Sequence, residues 1–174
     1  MKNMLSVILI LISFTLFGIR ISKKIELKQN VSGYLKRAAD ANTIELANEE
    51  LVKVINYLEA NNMTSGYTSI LYKTPDDDID FWYRNLKASQ NELQNLNTES
   101  ALEKTNVLIK LRETLLDTGK KTSVTIPRGL AVYPDNKLWA FLMSIATLSI
   151  FASLILLAIA ADKKAKMKAA NNKP

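Results

Sequence analysis

Four aspartates crowd one short stretch, Asp76, Asp77, Asp78 and Asp80, and several carboxylate oxygens within reach of one another are what Ca2+ or Mg2+ prefers. The spacing lacks the glycine turn and the distal glutamate of a calcium-binding loop. A simpler role fits. Thr74 and Pro75 precede the acids, proline suits the first position of a helix, and each negative side chain beside the positive end of the helix dipole stabilises it by roughly 0.3–1 kcal/mol. The aspartates read as a helix start, and no metal site is expected.

The chain contains neither histidine nor cysteine. That excludes a disulfide, a thiolate nucleophile, a Cys or His zinc site, a Ser/His/Asp triad and a histidine-ligated haem. Carboxylate chemistry or a Ser/Lys dyad survives this filter, but no arrangement of residues supports either. The expectation is a protein that is not an enzyme and carries no cofactor.

Phe81, Trp82 and Tyr83 are consecutive, and on a helix that turns about 100 degrees per residue they cannot all face one core. Trp82 lies on the apolar stripe Ile79, Trp82, Leu86, Leu93 and Leu96. Phe81 and Tyr83 must flank it, covered by the Tyr67 to Tyr72 segment of the same chain or by a partner protein. Cover from the same chain is the first expectation. Aromatic residues favour interface centres, so Phe81, Tyr83, Tyr67 and Tyr72 are the candidate partner-binding residues.

The elements that position these residues follow from apolar periodicity. From Lys23 to about Ala60 a stripe at spacings of three and four, Leu27, Val31, Tyr34, Ala38, Ala41, Ile44, Ala47, Leu51, Val54 and Leu58, predicts one long helix. Gly33 and the Ala38 to Ala41 stretch mark its bend or close contact. Asn61, Asn62 and Gly66 end it, and Tyr67 to Tyr72 has the composition of a short strand or ordered loop. A second helix starts at Thr74–Pro75 and runs to about Asn97. A third, with a capping box at Ser100 and Glu103, runs to Gly119. Thr122 to Pro134 reads as extended chain, with Val124 to Ile126 pairing either with Leu130 to Tyr133 or with the Tyr67 segment.

Both ends of the chain are apolar. Met4 to Ile19 carries no charge, and counting to Ile21 gives 18 residues, about 27 Å of helix and just enough to span a bilayer. Leu16, Phe17 and Gly18 put a bulky residue where a signal-peptide cleavage site needs a small one, so an uncleaved anchor is expected. Leu138 to Ala161 is 24 residues without a charge. Asn136 suits its start as a cap, with Pro134 just before it, and Ser144, Thr147, Ser149, Ser153 and several alanines offer small positions where another helix could approach. Arg20, Tyr133, Trp139, Lys163 and Lys164 are the candidate membrane-interface residues.

The formal charge of +6 reflects this layout. Residues 22 to 137 hold 16 Lys or Arg and 16 Asp or Glu, so the excess lies at the ends and nucleic-acid binding is not expected. The basic cluster Lys163 to Lys168 should stay cytoplasmic, which places both termini there. Arg20, Lys23, Lys24 and Lys28 pull the other way, but long loops translocate largely regardless of charge.

The expectation is a mainly α protein, two transmembrane helices flanking a membrane-tethered, three-helix bundle-like domain with a small extended or β element. Residues 1–21 are the first anchor, 22–137 a soluble, periplasmic domain, 138–161 the second span and 162–174 a basic tail, in a bacterial inner membrane. The layout resembles the extracytoplasmic helical sensor domains of bacterial receptors, which also sit between two spans. That resemblance implies a ligand-sensing domain, whose signal would pass to a separate partner because a short basic tail stands where such receptors continue into a signalling module. The leading expectation is instead a non-enzymatic accessory or scaffold protein that binds other membrane-complex subunits or a second copy of itself, with the lipid bilayer as its other partner.

Overall fold

The computed structural model describes residues 2–119 and 122–171 and is mainly helical. The chain divides into two compact units, Lys23–Asn136 and, from the two ends together, Met1–Ser22 with Lys137–Pro174.

The unit of the ends is built from α1 (Lys2–Leu27) and α6 (Asn136–Asn171). The helical stretches Met4–Ala39 and Asn136–Met167 are each long and apolar enough to cross a membrane. Leu11, Phe14, Phe141 and Leu148 lie exposed on them, whereas Ser6 and Ser13 of α1 and Ala146 and Ser153 of α6 are buried, seven residues apart on each helix. Ser13 Oγ shares its hydrogen between Leu9 O at 2.9 Å and Ala146 O at 3.0 Å. Small side chains allow this close approach, and the shared bond satisfies the Ser13 hydroxyl among apolar groups, whereas the buried Ser153 hydroxyl has no hydrogen-bond partner among the described residues. Ala146, one of the alanines where another helix could approach, meets α1 of the same chain. The hydroxyls of Ser144 and Thr147 turn back to the carbonyls of Ala140 and Met143.

In the middle unit the helix expected as one piece from Lys23 to Ala60 is broken. From α1 the chain runs through a π-turn (Lys28–Ser32) into α2 (Gly33–Ala39), stops, and restarts as α3 (Ile44–Ala60). Gly33 donates its N–H to Lys28 O, and a Cβ there would lie 3.1 Å from that oxygen, so glycine admits the wider turn at no steric cost. The break falls at Asp40 to Thr43, overlapping the end of the Ala38 to Ala41 stretch and running two residues past it. Thr43 is extended, with φ −132° and ψ 153°, and its side chain accepts the Leu46 N–H at 3.3 Å. Such a cap satisfies an amide that helix geometry orphans. Apolar residues keep their spacing on both sides of Thr43, so periodicity alone reads straight through the reversal.

The reversal lays α3 back along α2. Val31, Leu35, Ala38, Ala47, Leu51, Val54 and Leu58 are buried in one core. The buried Glu50 accepts from Arg37 Nη2 at 2.8 Å and Lys53 Nζ at 3.0 Å, and both cations lie against the Tyr34 ring. At the far end of α3, Asn62 takes φ 54°, Met63 N donates to Leu58 O at 2.8 Å and Asn62 N to Glu59 O at 3.2 Å. This is the Schellman closure, formed here on asparagine.

Helix α4 (Ile79–Asn95) packs on α3, and α5 (Ala101–Leu115) on α2 and α4. Ser100 caps α5, accepting the Glu103 N–H at 3.4 Å. The helix stops at Leu115 rather than Gly119, because Leu116–Asp117 (β1) pairs antiparallel with Ser123–Val124 (β2). The pairing expected for Val124 to Ile126 with Leu130 to Tyr133 does not form: Leu130–Val132 is a 3-10 turn. Tyr67 to Tyr72 makes no strand either, only a single bridge from Tyr67 to Asp78.

Two substitutions test this account. Leu51→Ala, at a fully buried position, should cost roughly 2–5 kcal/mol. Thr43→Ala should cost about 1 kcal/mol through the lost cap, and Thr43→Ser should recover most of it. Urea unfolding of the detergent-solubilised chain, followed by helical circular dichroism, measures both; equal stability of the Ala and Ser variants would remove the cap from the explanation of the break.

Candidate functional site

Three of the four clustered aspartates are engaged in local structure. Asp78, not Thr74, caps α4, its Oδ1 accepting the Phe81 N–H at 3.2 Å, and Pro75–Asp77 forms a separate 3-10 turn. The helix start thus lies four residues later than proline alone would set it. Asp77 accepts from Thr74 Oγ1 through one oxygen and from Thr68 Oγ1, at 3.4 Å, through the other. Asp80 pairs with Arg84 at 3.1 Å. These three acids thus hold four different partners, Phe81, Thr74, Thr68 and Arg84, and do not converge.

The aromatic triplet splits as the helix turns. Trp82 is buried, and its indole N–H donates to Thr125 O at 2.9 Å. Phe81 is 58% exposed, so the expectation that the Tyr67 to Tyr72 segment covers it is wrong. That segment is held elsewhere: Thr68 N donates to Asp77 O at 3.0 Å and Ile79 N to Gly66 O at 2.9 Å, which leaves its later residues pointing to solvent. Tyr83 is half-buried and donates to Glu59 of α3. Tyr67 lies under Lys73 Nζ, 4.8 Å from the ring centre, and Tyr72 is 80% exposed.

Beside Phe81 the N-terminal half of α4 and the extended Ser123 to Arg128 segment enclose a groove of about 530 Å3. Asp76, Asn85, Asp117 and Arg128 line it together with Phe81 and Thr125. Thr125 is fixed on both sides, since its N–H donates to Leu115 O at 2.9 Å and its carbonyl holds the Trp82 indole. The groove can take a molecule or peptide segment that has an apolar face and hydrogen-bonding groups. Sequence reasoning missed Asp117, Thr125 and Arg128, which come together through backbone pairing that no side-chain pattern announces. It also missed Ile70 and Leu71, exposed apolar neighbours of Tyr72 that a strand reading buries on alternate faces.

Of the interface candidates, Tyr133 is half-buried and donates its hydroxyl to Ser65 O at 2.7 Å. Arg20 and Trp139 are half-buried on α1 and α6, and Lys163 and Lys164 are exposed on the last turns of α6. Asn136 starts α6, and its side-chain amide donates to Gly129 O at 3.0 Å.

Burial, and next the hydrogen bond to Glu59 and the charge of its carboxylate, push the Tyr83 hydroxyl up to about 12. An unfolded tyrosine titrates near 10, so the folded state holds this proton more tightly. The stability it contributes is complete below pH ~10 and lost as pH rises through about 12. Tyr83→Phe should therefore be less stable than wild type at pH 8, and the two should converge by pH 12. Urea titrations at the two pH values decide it, and a constant difference would show that Tyr83 acts through packing alone.

Comparison with protein-family models, with curated proteins and with solved structures finds no match to the chain.

Proposed function

We propose that the protein is a membrane-anchored, non-enzymatic accessory or scaffold protein. Its two apolar helices cross the bilayer as a hairpin, and its middle unit, a small helical bundle outside the cytoplasm, holds a subunit of a membrane complex. The observation that carries the binding half of this reading is Phe81, a large aromatic side chain exposed on the wall of a groove. Burying it on a partner would supply an aromatic anchor in a preformed recess, the usual composition of an interface hot spot. The bilayer half rests on the length and apolar character of the two helices and on the large side chains along them.

The groove also favours a second reading. Its volume and its mixture of polar and apolar walls fall in the range of small-molecule sites, which fits a sensing domain that signals through its spans to a separate partner.

Affinity purification in mild detergent separates the two: a stoichiometric membrane protein supports the scaffold, and a lone chain with a bound metabolite the sensor. On the scaffold reading Phe81→Ala should leave the melting temperature close to wild type and weaken the complex by about 2 kcal/mol, roughly 30-fold in Kd. Unchanged affinity would take the contact away from this face.

Orientation has its own test. With both termini in the cytoplasm, a reporter active only there should work when fused after residue 174 and be silent when inserted at Ser65. The opposite pattern would put the middle unit inside.

A further inference from the structure

We infer that the loop Ile70-Leu71-Tyr72-Lys73 rests on the lipid bilayer, its apolar side chains entering the boundary between headgroups and acyl chains. The inference builds on the membrane reading above and adds a contact to it. Ile70, Leu71 and Tyr72 are 46, 84 and 80% exposed, an uninterrupted apolar run at a loop tip, with Lys73 beside it. Apolar and amphipathic side chains flanked by a lysine whose stem can reach upward to headgroup level are what an interfacial position selects.

Two independent measures put this loop at the end of the middle unit from which both connections to the apolar helices leave. The first is the antiparallel pairing of α3 with the helix before it. Arg37 meets Glu50, Lys53 stands over Tyr34, and the Tyr57 hydroxyl donates to Glu26 Oε1 at 3.3 Å. At about 1.5 Å of rise per residue, the end of α3 at Ala60 then lies level with Lys23, two residues past Ile21. The second is the segment that leads to α6. Tyr133 holds Ser65, Asn136 holds Gly129, and a Cβ on Gly129 would stand 3.7 Å from Thr68 Cβ. Leu71 is three residues beyond Thr68, within about 10 Å of chain reach. Both links to the apolar helices, at Lys23 and Asn136, leave the middle unit at the end that carries the loop, and this argues for lipid over protein as the occupant.

The chain has no cysteine, so single cysteines label cleanly with an environment-sensitive fluorophore. Full-length Leu71→Cys, Tyr72→Cys, Asn42→Cys and Leu148→Cys, reconstituted in phosphatidylcholine vesicles containing phosphatidylglycerol, are compared with spin-labelled lipids and aqueous iodide as quenchers. Asn42 is exposed in the α2–α3 connection, at the opposite end of α3. The expected result is a blue-shifted probe at 71 and 72 that shallow spin-labelled lipid quenches and iodide does not, with the reverse at 42. If 71 and 72 match 42 while deep spin-labelled lipid quenches 148, the loop contact is overturned and the spans stand. If 148 also stays in water, the membrane reading falls and the loop with it. Probes at 71 and 72 that are wet in vesicles of the pure chain but shielded in native membranes would assign the loop to a protein, and would equally overturn the inference.

Discussion

Glu50 is a buried carboxylate on α3 that accepts from Arg37 on α2 and from Lys53 one turn along its own helix, and it marks the contact on which the rest of the middle unit depends. Two cations, both lying against the Tyr34 ring, reach one oxygen of that carboxylate, while its other oxygen is buried without a hydrogen-bond partner among the described residues. Fixing α3 against α2 in this register leaves the faces that α4 and α5 occupy. Alanines at 38, 39 and 47, all buried, let the first pair approach closely enough for Leu35, Leu51 and Leu58 to close one core. Larger residues there would separate α2 from α3 and stretch the Arg37–Glu50 pair.

That pair sets off a chain of dependent placements. Glu59, near the end of α3, accepts from Tyr83, which agrees with the rotation of α4 that buries Ile79, Trp82, Leu86 and Leu93. That rotation points Trp82 at Thr125, and the carbonyl of Thr125 is available because its N–H is tied to Leu115 at the end of α5. The two-residue ladder of β1 and β2 is too short to be stable alone. It persists as the collar around an indole, which is why the groove beside Phe81 has one helical and one extended wall.

The helices were largely legible from apolar spacing, since most stripe positions from Val31 to Leu58 and from Ile79 to Leu93 are buried, although Tyr34 and Ala41 are only half-buried and the buried Leu35, Ala39 and Ile55 lay off the stripe. Their ends were less so. Thr43 caps α3 inside an unbroken stripe, and Asp78 caps α4 although Thr74 and Pro75 advertise an earlier start; in both places the deciding hydrogen bond is local and leaves no periodic trace. Gly119 was a plausible helix end by its type, yet α5 stops at Leu115 because β1 needs its next two residues for a partner beyond position 120. In the candidate site, Trp82 and its two exposed or half-exposed neighbours were predictable from helix geometry. That the Tyr67 to Tyr72 segment leaves Phe81 uncovered was not, because its path rests on Gly66, Thr68 and Asp77 making backbone and side-chain bonds in a segment without periodicity.

Phe81 therefore stands exposed for a reason that begins in the core. Trp82 must face Thr125 to keep its indole satisfied, and a residue about 100 degrees away on the same helix is then turned outward. The fold places no demand on the type of side chain at that outward position, and a polar residue there would cost the isolated unit nothing in apolar exposure. A phenylalanine instead leaves apolar surface in water, at about 25 cal/mol per Å2, beside a recess already lined with hydrogen-bonding groups. The unfavourable hydration of that ring is free energy that association can recover, with no rearrangement of the helix that carries it. A rigid, exposed anchor next to a preformed groove is the arrangement in which binding loses least to ordering, and that connects the buried Glu50 pair, through the rotation of α4, to the surface proposed to bind.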